Sequence, residues 1–463
     1  MGKPETQEEK YKTMTEKPVS SLICRLAVPT IISMLVTSFY NMADTFFVAR
    51  IGTSATAAVG VSFALMAIIQ AFGFFCGHGS GNYISRKMGQ HRFDEAQQMA
   101  ATGFFTALAL GTVIFLLGEI LIDPLCRILG ATETILPYAR QYLRLILIGA
   151  PYMTASLVLN NQLRFQGSAF YAMVGIASGA VLNIALDPLF IFVFDMGVSG
   201  AALATIISQF VGFILLWIGT HRGGTITIRL KNFHPTPRHY LTILNGGTPS
   251  LLRQGLGSVA TICLTFAARP YGDVAIAGMT IVARIMQFAN SCLIGFGQGF
   301  QPVCGFNYGA KLYARVREAF WFCVRLSTVV LIGLAIVGAV LAHPIVAIFL
   351  DDADVIRIGT DALRWQCLTF PFAAWTTMCN MMTQTTGKAV RASFLAMARQ
   401  GLFFVPTVLI MPQLLGLLGV EISQSIADVI SFAFAIPIGL SLLNEMKRDE
   451  AALAADSSAH PAA

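Results

Sequence analysis

The sequence predicts an all-α polytopic membrane protein with 12 transmembrane helices, arranged as two pseudo-twofold-related six-helix bundles. The chain is 55% hydrophobic and only 12% charged, whereas soluble domains carry about 25% charged residues. Apolar stretches of about 20 residues, the length needed to cross a bilayer, recur along the whole chain. In addition, the two halves of the sequence repeat one another.

The repeat is visible in residues that fix backbone geometry. Prolines, glycines, an arginine and an asparagine of the first half meet identical residues 220 positions later: Pro29 and Pro249, Gly52 and Gly272, Gly89 and Gly309, Pro124 and Pro344, Arg144 and Arg364, Pro151 and Pro371, Asn160 and Asn380, Gly167 and Gly387. Such self-similarity at one fixed offset indicates an internal duplication.

Each copy contains six apolar spans. In the first copy they cover 25–50, 54–80, 97–122, 137–163, 168–195 and 198–220; in the second they cover 241–268, 274–300, 316–343, 355–383, 390–412 and 417–443. Backbone groups in lipid must be satisfied within the segment, so each span is expected to be helical. Because six is even, both copies enter and leave on the same side, as in transporters with two parallel halves. Duplication for packing alone is the alternative, but the two copies diverge in their polar residues.

Orientation follows from the basic residues of the short loops. One face holds thirteen: Arg86, Lys87, Arg92, Arg164, Arg222, Arg229, Lys231, Arg238, Lys311, Arg315, Arg317, Lys388 and Arg391. The other holds four: Arg50, Arg127, Arg269 and Arg357. Both termini are therefore expected in the cytoplasm. The same bias explains the net charge of +7 without a nucleic-acid partner.

The domain boundaries follow from polarity. We expect a cytoplasmic tail at 1–20, an amino lobe at 21–220, a cytoplasmic linker at 221–240, a carboxy lobe at 241–446 and a cytoplasmic tail at 447–463. The last tail is rich in Ala and Ser and is predicted to be disordered. No cleavable signal peptide is evident.

Several kinds of chemistry are disfavoured. The nine cysteines show no metal-ligand spacing and are expected to pack inside helices. No phosphate-binding GxxxxGK[ST] loop occurs. The glycine ladders Gly77, Gly79, Gly81 and Gly295, Gly297, Gly299 favour close helix packing over nucleotide binding.

Two carboxylates inside the amino-lobe spans are candidate functional groups, because charges in lipid are costly. Asp44 and Asp187 each lie about 19 residues, or roughly 28 Å of helix, from the cytoplasmic end of their span. Tyr40 and Asn183 lie one turn away from them, and two further polar residues on other spans, Tyr142 and Thr205, lie at a similar level.

Such a group of oxygen atoms suits Na⁺, with Asp44, Asn183, Asp187 and Thr205 as its ligands. The same carboxylate pair could exchange protons instead. A purely structural role, such as an ion pair of Asp44 with Arg50, is the alternative. Pro188 is expected to kink its helix.

The segments YNMADTFFVARIG (40–52) and LNIALDPLFIF (182–192) resemble the multidrug and toxic compound extrusion (MATE) family of the MOP superfamily, in its bacterial MepA-like and DinF-like branch. The resemblance extends from Pro18 to Lys447. It implies a cation site at Asp44, Asn183 and Asp187, with Tyr40, Tyr142, Asn160 and Thr205 nearby, although helix counting puts Asn160 deeper. It also implies antiport by alternating access, in which Na⁺ or H⁺ enters while an amphipathic, often cationic, organic compound leaves.

The carboxy lobe departs from part of that family, in which some relatives carry a second acidic set. Here Leu264 is the repeat partner of Asp44, so ion coupling is assigned to the amino lobe alone. The spans of the carboxy lobe instead contain a deeply placed Asp428 and five arginines: Arg253, Arg284, Arg325, Arg364 and Arg399. We expect Arg253 or Arg284 to neutralise Asp428. The alternative is that an arginine binds an anionic group of the substrate.

The sequence therefore predicts a multidrug efflux transporter of the bacterial plasma membrane, not an enzyme, which works as a monomer and needs no cofactor beyond its coupling ion. Its expected partners are drug-like molecules and membrane lipids, and its expected cleft residues are Met34, Phe63, Met286 and Gln287. A lipid-linked precursor flippase with a basic cavity is the alternative function. A membrane-embedded transferase would need a metal-binding aspartate cluster. The sequence does not decide between Na⁺ and H⁺.

Overall fold

The computed structural model describes residues 6–350 and 352–459, and within these ranges the chain is almost entirely helical. The helices are α1 (Gln7–Glu16), α2 (Val19–Ala49), α3 (Thr53–Gly89), α4 (Phe93–Ile120), α5 (Ile122–Ile128), α6 (Leu136–Phe165), α7 (Ala169–Pro188), α8 (Gly197–Arg222), α9 (Pro237–Ala268), α10 (Asp273–Gly309), α11 (Tyr313–Val340), α12 (Ala342–Ala347), α13 (Ala353–Thr369), α14 (Phe372–Thr385), α15 (Ala389–Met397), α16 (Phe404–Leu415) and α17 (Leu417–Ala459).

The duplication recurs in the helix boundaries. Helices α3 and α10 begin and end 220 residues apart, and so do α4 and α11. Helices α8 and α17 also begin 220 residues apart. The repeat seen in the sequence is thus a repeat of secondary structure.

Within the described residues, eleven helical segments are long and apolar enough to cross a membrane, which confirms the polytopic membrane fold. The predicted span at 355–383 is instead divided into α13 and α14, of 17 and 14 residues. The break lies at Phe370 and Pro371, where proline cannot donate a helical hydrogen bond. In the first copy α6 continues through Pro151 without a break.

The chain forms two compact units. Unit 1 contains Arg25–Gly247 and the segment that ends at Lys17, whereas unit 2 contains Pro18–Cys24 and the residues from Thr248 on. The predicted linker 221–240 therefore lies with unit 1. In unit 1, α6 packs against α3, α4 and α8. In unit 2, α17 packs against α13, α14 and α16, and α10 packs against α11.

The glycines of α3 allow it to approach α6 closely. A Cβ atom at Gly73 would lie 2.7 Å from Leu157, and one at Gly77 would lie 2.7 Å from the Asn161 amide. Four residues further, a Cβ atom at Gly81 would overlap the Phe165 ring. The glycines thus serve helix packing, as small residues do at membrane helix interfaces.

Both terminal segments contain helix. Residues 7–16 form α1, which begins with a capping box between Thr6 and Glu9. The prediction of a disordered tail after Lys447 is wrong for 447–459, because α17 continues to Ala459. This segment contains five alanines, and Ala is the strongest helix former. Glu450 also pairs with Arg317 at 2.6 Å.

Candidate functional site

Asp44 on α2 and Asp187 on α7 are both buried in unit 1, with 2% and 0% of their surface exposed. Asn183 lies one helical turn before Asp187 and joins it to α8. With its amide oriented to satisfy both neighbours, its Nδ2 donates to Asp187 Oδ2 at 3.0 Å and its Oδ1 accepts from the Thr205 backbone N–H at 3.2 Å. The carboxylate of α7 is thereby fixed against α8.

Two tyrosines complete the cluster. The Tyr40 phenol lies in the electrostatic field of Asp44 and Asp187 and within reach of the Thr205 and Gln209 side chains. The Tyr142 phenol lies in the field of the same two carboxylates and of Tyr40. The structure therefore brings together six of the seven predicted residues.

Gln209 was not predicted. It lies one turn after Thr205 on α8, so the spacing of four residues could have indicated it.

No basic side chain of the described residues neutralises the two carboxylates, whose electrostatic neighbours include each other but no cation. Arg50, the alternative partner of Asp44, is exposed and lies over the Phe46 ring at 4.5 Å. Asp44 Oδ1 is buried and makes no hydrogen bond among the described residues. The cluster therefore offers oxygen atoms and negative charge to a cation from outside the protein.

The donor set fits Na⁺ or a proton better than a transition metal. Among the described residues, no group of three or more His, Cys, Asp or Glu side chains could hold a metal ion. Two carboxylates with neutral amide, hydroxyl and phenol oxygens are instead hard ligands of the kind that alkali cations accept.

Asn160 lies away from this cluster. Its Nδ2 donates to the Ala172 carbonyl at 3.0 Å and so joins α6 to α7. Ala172 precedes Asp187 by 15 residues, or roughly 22 Å of helix. The second copy repeats this contact, since Asn380 Nδ2 donates to the Ala392 carbonyl at 2.7 Å. The position of Asn160 indicates a scaffold role.

This position gives a first prediction. We expect Asn160→Ala to lower the free energy of unfolding by about 0.5–1.5 kcal/mol, because the side-chain hydrogen bond that joins α6 to the Ala172 carbonyl is lost. The ion dependence of transport should stay unchanged. Denaturant titration and ion-dependent efflux measure the two effects. Asn183→Ala is the matched variant, for which ion dependence should change. Loss of ion dependence in Asn160→Ala at unchanged stability would contradict the scaffold role.

The kink expected at Pro188 corresponds to a π-helical segment, Leu189–Val193, in which the Phe194 N–H donates to the Leu189 carbonyl. A second π-helical segment, Ala398–Leu402, interrupts the equivalent span of unit 2 between α15 and α16. Such segments occur frequently at functional sites.

The prediction that Arg253 or Arg284 neutralises Asp428 is wrong, because the partner is Arg399. Arg399 Nε donates to Asp428 Oδ1 at 2.8 Å, and Nη2 donates to Oδ2 at 3.4 Å. Arg399 lies in the π-helical segment, where the residue spacing of a regular α-helix does not apply. Arg284 is exposed on α10.

The four predicted cleft residues lie in different surroundings. Met34 is partly buried on α2, and Phe63 packs against the apolar core of unit 1. Met286 and Gln287 line a cavity of about 530 Å³ within unit 2.

Comparison with known proteins agrees with the repeat and the fold. The MatE family model matches residues 29–189 and again 249–410. The multidrug export protein MepA of Staphylococcus saprophyticus subsp. saprophyticus is 26% identical over 451 residues, which cover 96% of this chain and 99% of that protein.

Solved structures are also similar. An outward-facing multidrug resistance MATE transporter of the MOP superfamily has a TM-score of 0.90 at 26% identity, covering 96% of this chain and all of that one. A MOP superfamily transporter from Pyrococcus furiosus, described as having a binding pocket of reverse polarity that suggests a different function, has a TM-score of 0.88 at 26% identity over 94% of this chain and 98% of that one. With two matched segments that together span most of its length, the chain belongs to the MatE family, the multidrug and toxic compound extrusion transporters that its helix motifs resemble.

Proposed function

We propose that this protein is a multidrug efflux antiporter, in which the inward movement of Na⁺ or H⁺ drives the export of amphipathic, often cationic, organic compounds. The observation that carries the proposal is the buried pair of carboxylates, Asp44 and Asp187, without a basic partner among the described residues. Supporting it, the full-length relative from S. saprophyticus is named a multidrug export protein.

The coupling chemistry follows from the free-energy cost of burying these two negative charges. Two negative charges in a buried, largely apolar setting are stable only when a cation binds or a carboxyl is protonated. Asn183 holds Asp187 in place by its hydrogen bond, and Asp44 Oδ1 keeps a free acceptor site. The occupied and empty cluster therefore differ in charge, and this difference can favour different conformations.

In alternating access, the difference in charge between the occupied and the empty cluster drives transport. An exporter of this kind binds the drug in one conformation and the cation in another, so that each ligand lowers the affinity for the other. We assign the protein to the bacterial plasma membrane, with both termini in the cytoplasm, surrounded by lipid and active as a monomer. It acts without a cofactor other than the coupling ion and without nucleic acid.

The proposal is tested with purified protein reconstituted in vesicles loaded with a fluorescent organic cation such as ethidium. Na⁺ and pH gradients are imposed separately, and efflux is compared with that of protein-free vesicles. We expect one gradient to accelerate efflux and the other to have no effect, which also identifies the coupling ion. Efflux that ignores both gradients would overturn the proposal.

A lipid-linked precursor flippase is the second candidate, because unit 2 contains a cavity lined by two arginines. A flippase would move a short polyprenyl diphosphate between the leaflets of the same vesicles and would not export ethidium. This result would replace the antiporter by the flippase.

A further inference from the structure

Unit 2 contains another cavity, of about 430 Å³, beside α12 and the first half of α13. Its polar lining residues among those described are His343, Arg357, Thr360, Asp361 and Arg364. None of them lines the cavity of about 530 Å³ or belongs to the carboxylate cluster of unit 1. The bias of basic loop residues predicts that this end of the helices is extracytoplasmic. The cavity is therefore expected at the outer membrane–water interface.

The equivalent region of unit 1 holds two ion pairs. Arg140 Nη2 lies 2.5 Å from Asp123 Oδ1, and Arg144 Nε lies 3.7 Å from Glu119 Oε2. The residues 220 positions after Glu119, Asp123, Arg140 and Arg144 are Ala339, His343, Thr360 and Arg364. The second copy has therefore kept one arginine and replaced both carboxylates and the other arginine.

Arg364 has kept its charge without an acidic partner. It is exposed and forms no ion pair among the described residues, and its Nε donates to the neutral Ala339 carbonyl at 3.3 Å. Thr360 is only 6% exposed, and its Oγ1 makes no hydrogen bond within the described part of the chain. The His343 ring adds an N–H donor to the same lining. A guanidinium and a buried hydroxyl are thus available to an anionic oxygen, and phosphate is a preferred partner of Arg.

The cavity also has a negative side. Asp361, which stands where the first copy has Gln141, is exposed in the lining. Glu421 on α17 interacts electrostatically with Asp361 and with Arg357. Arg357 is itself paired with Asp354 at 3.6 Å. A purely anionic ligand would meet a carboxylate here, whereas a ligand with both a phosphate and an ammonium group would find a partner for each charge.

An apolar face continues from the charged one along α13. Asp361, Arg364, Trp365 and Leu368 are all exposed, and their spacing places them on one side of the helix. Trp365 is 41% exposed and Leu368 is 68% exposed. On α11, which packs against α13, Val340 is 70% exposed. Trp is enriched at membrane–water interfaces. The order of charged and apolar groups matches that of a phospholipid, in which acyl chains follow the headgroup.

We propose that this cavity binds the phosphoethanolamine headgroup of a membrane phospholipid, with Arg364 and Thr360 at the phosphate and Asp361 at the ammonium group. The acyl chains then lie along the exposed apolar residues of α11 and α13. The headgroup supplies Arg364 with the negative partner that Glu119 supplies to Arg144 in the first copy. The site holds a lipid at one end of unit 2, apart from the proposed exchange of ions and drugs.

Native mass spectrometry of the purified, delipidated full-length protein tests this proposal. Dioleoyl phosphatidylethanolamine and dioleoyl phosphatidylglycerol, added at equal concentration, differ only in their headgroups. We expect phosphatidylethanolamine to bind about 2- to 10-fold more tightly, which is the effect of one net hydrogen bond. Equal binding of the two lipids by the wild-type protein, or tighter binding of phosphatidylglycerol, would overturn the proposal without any variant.

Variants then identify the residues. Asp361→Asn should abolish the preference for phosphatidylethanolamine, because the ammonium group loses its charged partner. Arg364→Gln should weaken the binding of both lipids about 2- to 10-fold, since both carry a phosphate. Arg144→Gln is the matched control, because Arg144 is the equivalent arginine of unit 1 and is paired with Glu119, and it should bind like wild type. Unchanged lipid binding in a folded Asp361→Asn or Arg364→Gln variant would overturn the site.

A soluble competitor distinguishes a lipid from a free phosphate compound. O-phosphoethanolamine carries both charged groups but no acyl chains, so it should not displace the lipid at equal concentration. Displacement would overturn the lipid assignment in favour of a soluble ligand. Ethidium efflux is measured separately, so that selective lipid binding without efflux would support this site and refute the antiporter. Gradient-driven efflux without selective lipid binding would refute this site and leave the antiporter intact.

Discussion

Asp187→Asn is expected to reduce gradient-driven efflux to the level of protein-free vesicles. The substitution removes one of the two buried negative charges, while Asn183 can still donate a hydrogen bond to the new side chain. A cluster with one negative charge has less need of a bound cation. Ion binding should therefore no longer change the affinity for the drug. In coupled systems an ion changes ligand affinity by about 5- to 150-fold, and we expect this factor to approach one.

The measurement is drug affinity and efflux with and without the coupling ion, for wild type, Asp44→Asn and Asp187→Asn. Asp94→Asn is the matched control, because Asp94 is exposed at the start of α4 and its variant should behave like wild type. Size-exclusion profiles and thermal unfolding verify that each variant is folded. A folded Asp187→Asn variant that still responds to the ion gradient would exclude this cluster as the coupling site.

Arg399→Met is expected to lower the free energy of unfolding by about 3–5 kcal/mol, because removing one partner of a buried ion pair leaves the other charge uncompensated. Asp428 is the carboxylate left behind, and Gln424 alone would then bond to it. The double variant Arg399→Met with Asp428→Asn should recover at least half of the loss, since no buried charge remains.

Denaturant titration followed by tryptophan fluorescence measures these differences. Arg253→Met with Asp428→Asn is the control pair, which should show no such recovery, because Arg253 bonds to Asn380. A double variant at Arg399 and Asp428 that is no more stable than Arg399→Met would contradict the pairing.

The sequence predicted the membrane fold well because the signals involved are long. Spans of about 20 apolar residues and a repeat at a constant offset survive small errors in any boundary. The proximity of Asp44 and Asp187 could also be predicted, since their equal distance from the ends of their helices places them at one level. Depth in a regular helix follows from residue counting alone.

The sequence could not predict how residues are placed around the helix axis where a helix is irregular. Arg399, the missed partner of Asp428, lies in the π-helical segment at Ala398–Leu402, where the residue spacing of a regular α-helix does not apply. Likewise, Pro151 and Pro371 are equivalent in sequence, yet only the second divides its helix. Proline permits both outcomes, and tertiary packing decides between them.

Under the proposed function, the Asp44 and Asp187 pair of unit 1 sets how much the membrane potential contributes to accumulation of the exported solute. Two carboxylates compensate at most two monovalent cations per cycle. Each cation releases about 2.3 kcal/mol on crossing ~100 mV. The sum of about 4.6 kcal/mol supports a roughly 10³-fold concentration ratio for an uncharged solute, because ~1.4 kcal/mol corresponds to tenfold. An equivalent cation-binding pair in unit 2 would raise that ratio to its square, but Leu264 stands at the position equivalent to Asp44.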